Sequence, residues 1–384
     1  MDKVFVERGG ETTDSVKTML NTASVCATKT KTKKVLLGMS GGVDSSVSAI
    51  LLQEQGYEVY GVTLKLWEEE GKESTCCNLD ATLDAKRVCD KLGIPHYTLN
   101  AKEQFNKHVI QDFICQYKTC KTPNPCIECN KYLKFGYMYQ ISKELGIDYL
   151  ATGHYAKMEY SKEYGRYAIK KANNIAKDQS YVLYSMPKEL LGKVIFPLAE
   201  IETKEDIRQI ARDHGLKVAD KPDSEDICFI PDGDYKKFLE EHSDIQPKEG
   251  NIVNIKGEVL GKHQGLYCYT IGQRKGLGIS YSEPLYVVGF HTDKNELVVG
   301  TESEIYQKEM LVEQINLLLI DKLEEPMKVM VKTRYSSKEY SATIEMSGKD
   351  MIKVIFDEPV ARITPGQSAV FYVDDMVLGG GKIV

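Results

Sequence analysis

Apolar positions along this chain follow two different periods, and the change of period divides it. Val35, Leu36 and Leu37 form a short apolar run that reads as a buried strand; a helix follows through Leu52 and stops near Gly56, and Tyr57 to Leu64 supplies the next strand. Asp84 to Leu92 is a short helical stretch ended by Gly93, and Ile94 to Leu99 is a further strand candidate. Phe135, Met138, Ile141 and Leu145 then line one helical face before Gly146, and Tyr149 to Thr152 returns to strand. Strand and helix alternating in this way predict an α/β domain over residues 35–237, a doubly wound parallel sheet with helices on both faces and ligands at the carboxyl ends of the strands.

After about residue 240 the pattern changes to Gly-spaced β-like runs around Ile252 to Ile255 and a Gly/Lys/Arg-rich segment, Gly272 to Ile279, which suggests a small central domain over 238–303. Beyond residue 304 the period is two: Val329/Val331/Thr333, Ala342/Ile344/Met346, Ile352/Val354/Phe356 and Ala369/Phe371/Val373, with turns at Ser347-Gly348 and Pro365-Gly366. This predicts a small antiparallel β-barrel over 304–384. Residues 1–34 are polar, lack a clear period and end in Lys31-Thr-Lys-Lys34, the signature of a flexible extension to which no chemistry is assigned. No internal repeat links these modules, so they are read as unlike.

A length of 384 residues exceeds what one core organises, in keeping with several domains. No apolar run is long enough to span a bilayer, the N-terminus carries no signal-peptide apolar region, and Asp2, Glu7, Glu11 and Asp14 argue against a transit peptide. The expectation is a soluble cytoplasmic protein with no membrane partner, acting as a monomer. In a reducing compartment the ten cysteines read as thiols, metal ligands or redox groups rather than a disulfide framework. A net charge of −6 leaves RNA binding undecided, although Lys170 with Lys171 and Arg274 with Lys275 are local basic pairs.

The most informative motif is Gly38-Met39-Ser40-Gly41-Gly42-Val43-Asp44-Ser45, followed by Ser46, between the first strand and the first helix. Glycines let the backbone bend around an anion, serines add hydroxyl donors, and the helix directs its positive end inward. No lysine stands where a Walker loop needs one, and GxGxxG spacing is absent. The pattern resembles the pyrophosphate loop of N-type, ATP-cleaving, adenylating enzymes. Asp44 would organise the loop or its Mg2+.

Further segments extend the resemblance: Thr122-Pro-Asn-Pro-Cys-Ile-Glu-Cys-Asn-Lys131, Ala151-Thr-Gly-His-Tyr-Ala156, Lys177-Asp-Gln-Ser-Tyr181, Asp223-Ser-Glu-Asp-Ile-Cys-Phe229, Gly272 to Gly278, Lys332-Thr-Arg-Tyr335 and Pro365 to Phe371. In this order, from about Lys34 to the C-terminus, the chain resembles the tRNA-specific 2-thiouridylases. That resemblance implies ATP-dependent activation of the C2 oxygen of the anticodon wobble uridine, followed by its replacement with sulfur. It makes Cys129 the nucleophile and Cys228 the persulfide carrier. Gly38 to Ser45, Leu64 and Gly153 would border ATP. Asn124, Pro125, Cys126, His154, Lys177, Asp178, Gln179, Arg334, Tyr335 and Gln367 match tRNA-contacting positions, while His154 reads equally as a structural histidine. The implied partners are tRNA and a sulfur-donor protein such as a cysteine desulfurase or a sulfur relay protein.

One departure matters. The family commonly has aspartate where this chain has Cys126, and a thiol with a reference pKa of ~8.5 against ~3.9 for Asp cannot inherit an acid–base role unchanged. Cys126 and Cys129 form a CxxC with Cys228 as a potential third ligand, which resembles the site of iron–sulfur-dependent tRNA thiolases and raises the expectation of a 4Fe-4S cluster. Zinc, a redox disulfide or an ordinary turn also suit a CxxC. Cys26, Cys89, Cys115 and Cys268 read as buried small hydrophobes, and the adjacent Cys76 and Cys77 are unassigned. Two rival functions remain: an adenylating amide ligase, which explains the loop but not the cysteines, and an idle RNA-binding protein, which explains neither being intact.

Overall fold

The computed structural model describes residues 32–67, 79–222 and 227–384, together with the backbone of Val6–Glu7. Most of the expected N-terminal extension, Cys26, Cys76, Cys77 and the stretch Asp223 to Asp226 therefore lie outside the described residues. The chain divides into two units, residues 1–109 with 126–233, and residues 110–125 with 234–384.

In the first unit the strands are β1 (Val6–Glu7), β2 (Lys34–Gly38), β3 (Glu58–Lys65), β4 (His96–Asn100), β5 (Tyr149–Ala151), a hairpin of β6 (Lys157–Ser161) and β7 (Arg166–Lys170), and β8 (Val194–Ile195). One sheet runs in the order β1-β4-β3-β2-β5-β8. β2 pairs in parallel with both β3 (Val35↔Val59) and β5 (Leu36↔Leu150), and only β1 is antiparallel, on the β4 edge. Val35, Leu36 and Leu37 are all buried, as expected of a strand covered on both faces. The chain winds outward from β2 through β3 to β4 and then crosses back to β5, so the loops leaving β2 and β5 diverge at a switch point.

Helix α1 (Val43–Glu54) starts at the loop and ends before Gly56, whose φ of +83° suits glycine alone. Helix α2 (Leu79–Leu92) begins five residues ahead of the expected Asp84. Phe135, Met138 and Ile141 are buried on one face as the spacing required. The turns beneath them are wider than an α-helix, with a π-helical stretch at Cys129–Tyr137 between Pro125–Glu128 and Met138–Glu144.

The second unit holds two sheets. β9 (Gly250–Asn254), β10 (Val259–His263), β11 (Tyr286–His291) and β12 (Glu296–Gly300) pair in the order β10-β9-β12-β11 over a core that includes Ile252, Val287, Leu297 and Leu277, the last from the Gly-rich segment. β13 (Tyr306–Leu317), β14 (Met327–Lys332), β15 (Tyr340–Met346), β16 (Ile352–Ala361), β17 (Ser368–Val373) and β18 (Met376–Ile383) run β13-β16-β15-β14-β17-β18, and pairing of β13 with β18 closes the barrel.

The four predicted period-two strands are present, with Val331, Ala342, Ile344, Val354 and Phe371 buried. Met346, expected on the same inward face, is exposed at the end of β15. β17 is buried on both faces, since Val370 and Tyr372 are covered as fully as Ala369 and Phe371. The closing strand β18 is not among the four expected and carries Gly379, Gly380 and Gly381. They are there for close approach: a Cβ on Gly379 would stand 2.3 Å from the Asn316 carbonyl oxygen and one on Gly381 2.5 Å from that of Glu313.

Residues 110–125 join this unit through aromatic packing. On Gln111–Lys118, Phe113 meets Phe238 edge-on at 6.1 Å and Tyr117 stacks on Tyr235 at 4.8 Å. Further along, the Thr122 N–H donates to the Pro365 carbonyl at 2.9 Å.

Candidate active site

The loop between β2 and α1 is built by its own hydroxyls. Ser45 Oγ accepts from the Ser40 N–H at 3.2 Å and lies 3.2 Å from the Gly42 carbonyl oxygen, while Ser46 Oγ donates to the same carbonyl at 2.8 Å. Gly41 has a φ of +74°, and a Cβ there would stand 2.2 Å from the Ala81 carbonyl oxygen, so both conformation and space exclude a side chain. Gly42 caps α1 without a side-chain hydrogen bond, which leaves the first-turn N–H groups uncapped by any side chain. From the loop after β5, Gly153 presses on the helix start: a Cβ would come within 3.1 Å of the Ser45 nitrogen. Leu64 is half-buried on β3 opposite Leu99.

Asp44 is the electrostatic centre. Its Oδ1 accepts from the Tyr155 hydroxyl at 2.7 Å and from Lys204 Nζ at 2.7 Å, and Oδ2 accepts from Lys204 at 2.9 Å. A second lysine, Lys221, donates to the Gly41 carbonyl at 3.4 Å and to Asp84 Oδ2 at 3.1 Å. Neither lysine was singled out in the sequence. Lys204 opens the helix Lys204–Asp213 behind the Thr203 cap, where only the capping pattern Thr203-x-x-Asp206 signals a start; Lys221 does stand two residues before the Asp223 motif. Together they place two ammonium groups beside a loop shaped for phosphates.

Two histidines tie the sheet to the loops. Thr63 Oγ1 donates to the Met39 carbonyl and lies 2.8 Å from His96 Nε2, which therefore carries the proton. Burial, then Lys86, lowers the His96 pKa to about 4. His154 is 8% exposed; Nδ1 lies 2.7 Å from Thr152 Oγ1 and Nε2 faces Lys134 Nζ at 3.4 Å, so Nε2 accepts and Nδ1 donates. Burial and then Lys134 hold its pKa well below the ordinary value. Both rings are neutral when folded and gain a proton on unfolding once pH falls below about 6.5. Stability is therefore complete above that pH and declines below it, for His96 by on the order of 3 kcal/mol by pH 4. Urea titrations at pH 7.5, 6 and 5 should show the decline, with a shallower slope in His96→Gln; equal slopes would mean that His96 is not buried neutral.

Of the cysteines, Cys129 is 8% exposed, Cys228 half-buried and Cys126 exposed. Cys129 opens the π-helical stretch, and its neighbour Asn130 is buried, donating Nδ2 to the Val182 carbonyl at 3.0 Å while its Oδ1 has no hydrogen-bond partner among the described residues. Wide π turns recur at functional sites because they re-aim side chains. Among the described residues no group of three or more His, Cys, Asp or Glu could hold a metal ion. Within the CxxC, Cys126 is exposed and Cys129 buried, so the two residues differ in their contact with water. The expected cluster is not shown by this arrangement. Cys89 and Cys268 are buried with pKa values pushed up by burial, to about 12 for Cys89, and are inert packing thiols. Cys115 is exposed, against expectation, because it falls off the Phe113, Ile114 and Tyr117 stripe that its helix buries.

Several residues matched to RNA contacts hold backbone here. Asp178 is buried and accepts from the Ala172 N–H, the Ser180 N–H and the Ser180 hydroxyl. Gln179 accepts from the Tyr155 N–H at 3.1 Å, and Lys177 is half-buried in the same turn. Arg334 Nη2 donates to the Ile271 carbonyl at 2.9 Å and to Thr364 Oγ1, and Gln367 Nε2 donates to the Thr122 carbonyl at 2.7 Å, just before Asn124 and Pro125. Tyr335 is 41% exposed beside Lys332.

Comparison with known proteins adds to this geometry. Residues 33–232 match the tRNA methyl transferase HUP domain, 236–301 the tRNA methyl transferase PRC-barrel domain and 307–383 the aminomethyltransferase beta-barrel domain. A tRNA-specific 2-thiouridylase MnmA of Clostridioides difficile (strain 630) is 48% identical over 354 residues, 91% of this chain and 98% of the relative. The protein of that name from Acetivibrio thermocellus is 50% identical over 356 residues, 91% of this chain and 99% of its own. Among solved structures, the U34-tRNA thiolase NcsA from Methanococcus maripaludis, which carries a 4Fe-4S cluster, overlays 60% of this chain and 73% of its own at 20% identity and a TM-score of 0.35, a likeness too slight to argue from.

Proposed function

Because the chain belongs to the tRNA-specific 2-thiouridylase family, it is a tRNA sulfurtransferase that makes 2-thiouridine, and we propose how its own residues divide the reaction. The observation that carries this reading is the extent of likeness, 48–50% over nine-tenths of the chain, with the loop and both cysteines in place. The amide-ligase reading accounts for the loop but not for the cysteines or the extent of likeness, and the idle-protein reading does not account for the loop and cysteines being intact.

ATP lies with its phosphates against the loop from Gly38 to Ser45, and the uncapped N–H groups of α1 receive the β- and γ-phosphates. Uridine O2 attacks the α-phosphorus, pyrophosphate leaves, and the base is held as its adenylate. Lys204 and Lys221 offset the charge that accumulates on the departing pyrophosphate. Mg2+ would arrive with the nucleotide, since it is commonly held by one or two carboxylates plus phosphates, and Asp44 and Asp84 are the carboxylates beside the loop.

Sulfur delivery then uses the cysteines. The terminal sulfur of a Cys228 persulfide attacks C2 and AMP leaves. Cys129 thiolate attacks the Cys228 sulfur, the persulfide S–S bond breaks with its electrons going to the sulfur on C2, and a Cys129–Cys228 disulfide remains for an external dithiol to reduce. A sulfur-donor protein reloads Cys228. ATP/pyrophosphate exchange with and without tRNA, with nucleoside analysis of the product, tests the whole: exchange without any 2-thiouridine would reduce the protein to an adenylating enzyme, and neither activity would leave RNA binding alone.

In the barrel, Arg334→Ala is expected to weaken tRNA binding and reduce the slope of log K against log salt by about 1. Since Nη2 also anchors Ile271 and Thr364, the melting temperature should fall in parallel. A lower melting temperature with an unchanged salt slope would make Arg334 a tie within the second unit and not a phosphate contact.

A further inference from the structure

Two rings meet on the surface of the first unit. Tyr132 lies three residues beyond Cys129 and six beyond the exposed Cys126, and it is 36% exposed. Its ring stacks on that of His108 with centroids 4.3 Å apart and planes within 14°. Lys131 Nζ stands 4.9 Å from the Tyr132 ring centroid. Both rings come from wide-turn segments, His108 from the π-helical stretch Asn106–Ile110 and Tyr132 from Cys129–Tyr137. Lys107 is exposed beside His108, and Glu128 is the acid that bears on the imidazole. Burial, then Lys107, lowers the His108 pKa, so the ring is an uncharged aromatic at neutral pH.

We propose that Tyr132, backed by His108 and flanked by Lys131 and Lys107, is a stacking platform for an unpaired base of the substrate RNA adjacent to the reacting uridine. The inference rests on the tRNA reading above and adds a subsite to it. Single-stranded RNA is held by flat rings on which splayed bases stack and by cations that follow the phosphates, and this patch presents both within one turn of the sulfur chemistry. A lone exposed tyrosine needs no explanation, but one pre-stacked on a second ring has already lost the freedom that binding would otherwise cost. Lys131 covers the ring in the free chain and moves to a phosphate when a base takes its place, exchanging a cation–π contact for an ion pair.

The probe is an anticodon stem-loop RNA carrying 2-aminopurine next to the reacting uridine, whose fluorescence is quenched on stacking. The parent should quench it. Tyr132→Ala should bind about tenfold more weakly and lose the quench, whereas Tyr132→Phe should match the parent. ATP affinity should be the same in all three, which also reports that the first unit is folded. Unaltered RNA affinity and quench in Tyr132→Ala would overturn the platform. So would unaltered RNA affinity combined with slower reloading by a sulfur-donor protein, which would make the patch a protein-docking surface. If the parent itself neither binds nor thiolates tRNA, the proposed function fails; if it does both and Tyr132→Ala is indistinguishable from it, only the platform does.

Discussion

Cys228→Ser should retain ATP/pyrophosphate exchange in the presence of tRNA and lose 2-thiouridine formation altogether. Activation needs the loop and the uridine oxygen, whereas delivery needs a sulfur on which a second sulfur can ride, and serine cannot carry one. Cys129→Ser should also exchange, yet stall later, with the RNA trapped as a mixed disulfide on Cys228 that added dithiol releases. The two variants therefore differ in a covalent product seen by denaturing gel or mass spectrometry, although both read as inactive in a thiolation assay run without dithiol. A persulfide found on another cysteine in Cys228→Ser would reassign the carrier, and loss of exchange would place Cys228 in activation instead.

Asp44→Ala should abolish adenylation while leaving tRNA affinity within about twofold, because the carboxylate faces the nucleotide loop. Removing it also takes from Lys204 its carboxylate, so a loss of about 1–2 kcal/mol of stability is expected, discounted because Asp44 is a third exposed. Lys204→Ala separates the two effects. It leaves Asp44 with its Tyr155 hydrogen bond and should lower the exchange rate about 100-fold, chiefly through the chemical step. Pyrophosphate inhibition is the sharper readout: if Lys204 meets the leaving group, Lys204→Ala weakens inhibition by pyrophosphate, and an unchanged inhibition constant would confine Lys204 to holding Asp44 in place.

The parts of this site that could be read from the chain are those made by neighbours in sequence. The loop is one: its strand, its glycines, its serines and its helix follow one another without interruption from Lys34 to Glu54, and the hydrogen bonds among Ser40, Gly42, Ser45 and Ser46 span no more than five positions. The barrel strands were legible for the same reason, since a period of two is a local property that burial of one face enforces. What failed locally also has a local cause. β18 carries three glycines, which suppress strand propensity.

Sequence alone determined that a glycine- and serine-rich loop opens the first helix of a parallel sheet and that a barrel ends the chain. Tertiary structure alone decided which charges meet the loop. Lys204 reaches Asp44 across 160 positions and Lys221 reaches Gly41 across 180, and no periodicity records a contact made by an ammonium at the end of a flexible stem. It also decided that Gln367 spends its amide on Thr122 and that His154 is sealed in as a neutral ring. A motif records which groups a site requires, but burial and long-range pairing set their charge and reach, and those depend on segments distant in the chain coming together.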